Sequence, residues 1–475
     1  MVLRYLHCIP KHKRINKSSS DNFRGICLQS ILCKLLDMFM LEKESVSLKT
    51  SELQFGFKEG MSTDLAMAVV SETVDYYINR RGSVYMLALD ATKAFDRVDF
   101  VKLFSLLLDR NVNPLYIRLL FNMYLDQKIR VNFNSGTSDY FKVSNGVKQK
   151  GGVLSPVLFS CYINGLIDQL QKCQLGCYVG NLYTGCVAYA DDIVLLSPTV
   201  DSLRGQIKVA EEFAQEHSML FNGSKSKLMC FSKVYSPKDV MVKVGGDCVS
   251  LTNRMTYLGH SVSSSIYDSP VTDISHDFVI KFNGVIGDFA KISSKLKHDL
   301  MLKYCTSLYG VMFCDLSNRN GLDLLCRQWR KALRKIWLLP YRAHSRLLPL
   351  ITGGLPLDIV IKKRFVNFYY SGLSSKNNVI RSLFQLAERS YSRLGCNFRA
   401  ICSSVLGNRG SWAGYSADHV NEKLVDSWKN DVADADVRIA SHITELIDMR
   451  DGIHDNTLNK SECQDIIDLL TLLVQ

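Results

Sequence analysis

The sequence predicts an α+β fold that gives way to an all-helical region. Up to about residue 262, apolar residues recur at helical spacing and then in short continuous runs, the pattern of helices interleaved with strands. From about Asp273 only the helical spacing continues. With 47% hydrophobic and 22% charged residues, the 475-residue chain has the composition of a folded protein, which excludes disorder as its dominant state.

The elements follow in order. Ile31, Leu32, Leu35, Leu36 and Phe39 predict a helix between about Cys27 and Leu41. Thr63 to Ile78 repeats the pattern, with Ser62 or Thr63 as its cap and Arg80-Arg81-Gly82 as its break. The apolar run Val84 to Leu89 has the length of a buried strand and ends on Asp90. Helices are expected over Phe100 to Leu108 and over Pro114 to Leu125, with Pro114 in a first turn. Arg130 to Phe133 and Tyr140 to Val143 read as a hairpin across Asn134-Ser135-Gly136. A glycine- and lysine-rich loop, Gly146 to Gly152, precedes a helix over Pro156 to Leu170. Cys186 to Tyr189 and Ile193 to Leu196 are strands around Ala190-Asp191-Asp192. A helix over Leu203 to Ser218, the turn Asn222-Gly223 and a strand over Lys227 to Phe231 complete the α+β part.

Fifteen cysteines, an odd number with no secretory segment before them, read as reduced thiols. The expected location is therefore intracellular, in the nucleus, the cytoplasm or both, and not secreted. No stretch reaches the ~18 uncharged apolar residues of a membrane span, so no membrane partner is expected. Lys11 to Lys17 is either a nuclear signal or a basic loop. The net charge of +12 favours a polyanionic partner, but it is spread unevenly. Lys291 to Arg346 holds 12 Lys/Arg against three Asp, a balance of +9. Asp418 to Asp468 holds 13 acidic residues against five basic, a balance of −8.

Carboxylates carry the chemistry. Asp90 ends one buried run, and Asp191-Asp192 lie between two others. Carboxylates beside apolar runs are costly unless paired, solvated or bound to metal. Adjacent Asp residues repel, and an all-oxygen set suits Mg²⁺ or Mn²⁺. Two such ions would activate a 3′-hydroxyl and stabilise a leaving pyrophosphate.

These runs form a recognisable series. Tyr189-Ala190-Asp191-Asp192 resembles the Tyr-x-Asp-Asp signature of reverse transcriptases. Leu89 to Val98 resembles their first palm motif, and Asn145-Gly146-Val147-Lys148-Gln149 with Gly151 to Pro156 their template- and nucleotide-contacting motif. Asn222 to Ser226 is similar to the later palm motif that carries a lysine, and Tyr257-Leu258-Gly259-His260 to the primer-grip turn. Ile9 to Lys13, Asn22 to Ile26 and Gln54 to Thr63 resemble fingers motifs. The order resembles non-LTR (LINE-type) retrotransposon polymerases more than retroviral or telomerase enzymes.

The resemblance implies a right-hand polymerase with fingers, palm and thumb and a helical C-terminal extension. Residues 1–262 would be fingers and palm, 263–350 a basic thumb-like region, and 351–475 the extension with its acidic tail. Asp90, Asp191 and Asp192 match the catalytic carboxylates, which with the carbonyl of Ala91 would hold two Mg²⁺ or Mn²⁺ ions. Lys225 matches a lysine near the pyrophosphate, a candidate general acid. Phe95 matches the steric gate, Arg24 a triphosphate-binding arginine, and Gln149 and Gly151 residues beside the incoming base pair. Lys11 and Lys13 are candidates for phosphates, and Tyr257, Leu258 and Gly259 for the primer end. Arg327, Arg330 and Arg334, interleaved with Trp329 and Trp337, make a candidate duplex face.

The implied function is RNA-directed DNA polymerisation, with an RNA template, a DNA primer or target DNA, and dNTPs as partners. Two departures bear on it. Lys150 stands between Gln149 and Gly151, where the family runs from Gln to Gly. The endonuclease that precedes the polymerase in such elements has no counterpart here, so an N-terminally truncated element protein is expected. These departures motivate the alternative, a catalytically inactive retroelement-derived RNA-binding protein. The acidic tail is open to three readings: a solvated cap, a contact to the basic region, or a partner surface.

Overall fold

The computed structural model describes residues 2–10, 22–125, 127–133, 136–147, 152–233, 240–265, 270–317, 322–339, 345, 348–407, 412 and 414–434. The chain divides into two compact units, Met1–Leu258 and Gly259–Gln475.

The first unit is built on a four-stranded antiparallel sheet in the order Lys227–Ser232, Ser83–Asp90, Asp192–Ser197, Cys186–Tyr189. The inner strands are apolar throughout because both faces are covered: Met86, Leu87, Val194 and Leu195 are fully buried. Helix Thr63–Ile78 packs on Ser83–Asp90 and Cys186–Tyr189, and helix Val200–Glu216 on Asp192–Ser197. Ser62 caps the first of these helices, its Oγ accepting from the Leu65 N–H, and Thr199 caps the second. Helix Ser155–Lys172 buries Leu158, Phe159, Tyr162 and Leu166 against this layer.

A second sheet runs Phe23–Leu28, Val2–Pro10, Gln127–Phe133, Gly136–Thr137, with Phe141–Lys142 also on Gln127–Phe133. The expected pairing of Arg130–Phe133 with Tyr140–Val143 is shifted: Phe141–Lys142 faces Lys128 and Ile129, and Gly136–Thr137 takes Asn132 and Phe133. The Val2–Pro10 strand was not expected; it pairs in parallel with Gln127–Phe133, a partner too distant in sequence for local periodicity to reveal. The helix expected from Cys27 begins at Ile31 instead, because Ser30 caps it and Cys27 and Leu28 belong to a strand. Its apolar spacing does not mark core: Ile31 and Leu32 are 76% and 79% exposed.

The second unit is helical after the short strand His260–Ser263. Its helices are Val271–Asp288, Ser294–Tyr304, Asp323–Ile336, Leu348–Thr352, Leu357–Leu373, Asn378–Arg389, Arg393–Leu406 and Ala417–Asp434. Tyr369 stacks on Phe398 at 3.9 Å and Phe278 meets Trp329 at 5.7 Å, which seats large rings in its core. The acidic stretch past Asp434 lies outside the described residues. Among the described residues no helix is long and apolar enough to cross a membrane.

Candidate active site

Strand register assembles the acidic residues. Asp192 stands directly across from Asp90 in the antiparallel ladder, and Tyr189 pairs Asp192 on its other side. The hairpin loop is then only Ala190 and Asp191. Asp90 is gripped by the segment from Leu220 to Ser226: its N–H donates to Ser226 Oγ at 3.2 Å and its carbonyl accepts from Asn222 N–H at 2.8 Å. Ala91 bridges to Phe221, and Thr92 N–H donates to Leu220 O at 2.9 Å.

Burial and mutual repulsion both act on the carboxyls of Asp191 and Asp192. Burial, reinforced by the nearby Asp90 carboxylate, holds Asp191 above the usual carboxylate range. Asp192 is pushed up to about 6 by burial first, then by Asp191 and Asp90. Among the described residues no three His, Cys, Asp or Glu side chains are drawn together as a ready-made metal cage. The donor set nonetheless suits a hard divalent cation, because it is carboxylate oxygen only and its members repel one another.

The segment after Asp90 is strapped down. Residues Ala94–Arg97 form a 3₁₀ turn against the Gly146 loop, where Gly146 N–H donates to Val98 O and Val147 N–H to Phe95 O, both at 2.8 Å. Gly146 has φ +93°, and a Cβ there would lie 2.8 Å from Asp96 O, so only glycine fits. Phe95 is 3% exposed; its ring stacks on Phe159 at 4.1 Å and meets Phe57 edge-on at 6.3 Å. Lys225 is exposed on the Asn222 turn, where Asn222 Oδ1 accepts from its N–H at 3.1 Å.

Other expected residues are distributed differently. Tyr257 is buried, with its hydroxyl donating to Val187 O at 3.5 Å, so its side chain backs the hairpin that carries Asp191 rather than facing solvent. Leu258 and Gly259 follow at φ +49° and +82°, a tight turn. Arg24 lies in the Phe23–Leu28 strand, with its side chain outside the described set. Lys11, Lys13, Gln149, Lys150 and Gly151 also lie outside the described residues. In the second unit, Arg327 and Arg330 both reach Asp323, at 3.2 and 3.7 Å, and Arg334 donates to Ser345 Oγ at 3.0 Å. Trp329 and Trp337 are buried, which removes them from the mixed face the sequence suggested; Arg327, Lys331 and Lys335 are exposed, while Arg330 and Arg334 are half-buried.

Two polar residues to which sequence reasoning gave no role of their own support the site. Asp37 is buried, and its Oδ2 accepts from Gln29 Nε2 and from the N–H groups of Val153 and Leu154 at 3.2–3.4 Å, which ties it to the start of the Ser155–Lys172 helix. Gln54 is fully buried beside the Ala190 turn. The available signal in each case was a polar side chain among apolar neighbours. Lys58 of the same motif is structural: its Nζ donates to Thr50 O and Ser51 O at 3.1 and 2.6 Å, and burial pulls it down to about 8.

The family model described as "Reverse transcriptase (RNA-dependent DNA polymerase)" matches residues 9–262. The chain is similar to the Retrovirus-related Pol polyprotein from type-2 retrotransposable element R2DM of Drosophila melanogaster, 26% identical over 46% of this chain and 20% of that one. It is also similar to the Transposon TX1 uncharacterized 149 kDa protein of Xenopus laevis, 30% identical over 59% of this chain and 22% of that one. The chain thus spans about a fifth of the length of these relatives. Among solved structures, apo telomerase from Candida Tropicalis aligns over 94% of this chain and 68% of its own, at 13% identity and a TM-score of 0.42.

Proposed function

The chain belongs to the reverse transcriptase (RNA-dependent DNA polymerase) family, and we propose that it is the polymerase of a non-LTR (LINE-type) retrotransposon. It extends the 3′-hydroxyl of a DNA primer or target with dNTPs along an RNA template, inside the cell, in nucleus or cytoplasm. The observation that carries this reading is the register that faces Asp192 with Asp90 and puts Asp191 in the adjoining turn, within the span the family model matches. In this reading residues 1–262 are fingers and palm of a right-hand polymerase, 263–350 a thumb-like region, and 351–475 a helical extension.

The family generally depends on divalent metal. Here Asp90, Asp191, Asp192 and the Ala91 carbonyl would hold two Mg²⁺ or Mn²⁺ ions. Bound there, such ions lower the pKa of the attacking hydroxyl and neutralise charge on the phosphates. The chain's own residues do the rest. The Asn222 and Ser226 bonds keep Asp90 from moving as charge develops nearby. Phe95 acts as the gate, its ring pinned by Phe159 and Phe57 so that a ribose 2′-hydroxyl meets a surface that does not yield. Lys225, exposed on its turn, gives a proton to the departing pyrophosphate. Arg24, Gln149 and Gly151 hold the nucleotide; Lys11, Lys13, Leu258, Gly259 and the backbone of Tyr257 hold primer and template.

Primer extension by the full chain on an RNA template with Mg²⁺ tests this reading, and dNTP-dependent extension is expected. Retained RNA binding without any extension would overturn it in favour of an inactive RNA-binding module. Extension with rNTPs alone would point to RNA synthesis instead.

A further inference from the structure

The turn that carries Asp191 has an expensive backbone. Pairing of Tyr189 with Asp192 leaves two loop residues, of which Ala190 has φ +59° and Asp191 has no positive φ. A positive φ at the first position alone is the pattern of type II′ hairpin turns, where glycine is the usual first residue. Alanine resists it, because its Cβ crowds the neighbouring carbonyl. Something outside the turn must therefore hold it.

Gln54 is placed to do so. Its side chain is 0% exposed, and Oε1 accepts from the Ala190 N–H at 2.8 Å and from the Gly56 N–H at 2.9 Å. Two backbone donors on one atom identify that atom as the amide oxygen. The main chain beside it runs as a splint along the strand leading into the turn. Phe55 N–H donates to Ala188 O at 2.8 Å, and Ala188 N–H to Leu53 O at 2.9 Å. Gly56 permits the close approach: a Cβ there would lie 2.4 Å from Ala190 N. Gln54 Nε2, by contrast, is buried with no hydrogen-bond partner among the described residues. An amide kept only for packing would be replaced without loss by an apolar side chain, so the oxygen is the part that acts.

We propose that Gln54 is a positioning residue: by accepting from the Ala190 N–H it holds the turn at positive φ and so fixes where Asp191 and Asp192 present their carboxylates. This rests on the reading of those aspartates as catalytic.

A double-mutant cycle tests it. Gln54→Met keeps the side-chain length and removes the acceptor; Ala190→Gly removes the steric cost of positive φ. With Ala190 in place, Gln54→Met is expected to lower kcat about 10- to 100-fold while KM for dNTP moves less than about threefold. In the Ala190→Gly background the same substitution is expected to cost less than about threefold. Equal losses in both backgrounds, or no loss in either, overturn the proposal. Hydrogen exchange at the Ala190 amide gives a readout independent of activity: protection in the parent, and its loss in Gln54→Met. Unchanged protection sinks the positioning role even in a chain without polymerase activity, whereas an inactive parent that shows the expected exchange counts only against the polymerase reading. Gln54→Asn, which draws the acceptor back by one methylene, serves with the same expectations where Gln54→Met does not fold.

Discussion

In the first unit, Asp90 and Asp192 sit at the ends of strands whose interiors are sealed, and they face each other across the ladder. In the second, the cations of the Asp323–Ile336 helix stand outside a core stripe of Leu325, Trp329, Leu333 and Ile336, and two of them already share Asp323. One region concentrates repulsion and pins it with hydrogen bonds from both sides; the other spreads charge and partly answers it. Under the proposed function the difference follows from what each charge would be for. A reacting group must be held to fractions of an ångström, which paired strands supply. A surface that follows a phosphate backbone needs density of charge rather than fixed positions, which an exposed helix face supplies.

That contrast can be broken at either end. Asp191→Ala is expected to lower primer extension at least about 10³-fold in single-turnover kinetics. Activity that survives would remove the strand ends from the chemistry and leave the contrast without a catalytic side. Phe95→Val, which shortens the gate while still filling part of its pocket, should raise rNTP over dNTP incorporation about tenfold. An unchanged ratio would return Phe95 to the core alone. Replacing Arg327, Lys331 and Lys335 together with Gln should weaken primer–template binding in proportion to charge. The slope of log K against log salt should flatten by about 0.7–0.9 for each phosphate that the variant no longer neutralises; an unaltered slope would mean this face does not meet nucleic acid.

The smallest effect concerns Asp192. Because burial and its acidic neighbours raise its carboxyl to about 6, the folded chain binds that proton more tightly than the unfolded chain does. Its stabilising share is full below the ordinary carboxylate range and is lost as pH rises through about 6. In metal-free protein, Asp192→Asn should therefore raise Tm at pH 7.5 by on the order of 1–2 °C and leave it little changed at pH 4. A lower Tm at pH 7.5 would show that the pair is not under repulsion.

Much of this was legible from the sequence because the inner strands of the first sheet are short, apolar in their interiors and punctuated by Asp, so period and punctuation coincide. The same rule misled at Ile31 and Leu32, where helical apolar spacing faces solvent. It also could not separate the tryptophans of the Asp323–Ile336 region from its cations, since both recur at helical spacing. What escaped entirely was long-range pairing. The Val2–Pro10 strand takes a partner beginning at Gln127, and Gln54 meets Ala190 across 136 positions. No local window contains both members of such pairs.

The place of Ser83–Asp90 in its sheet has a consequence for how the chain is made. It is an inner strand, covered on one edge by Asp192–Ser197 and on the other by Lys227–Ser232. At ordinary synthesis rates of about 5–20 residues per second, the strand ending in Asp90 waits several seconds for its second neighbour to emerge. During that wait it offers an unpaired, apolar edge, the kind that recruits other chains. A nascent or truncated product ending before residue 227 would therefore keep the Asp90–Asp192 pairing but carry an aggregation-prone open edge on Ser83–Asp90.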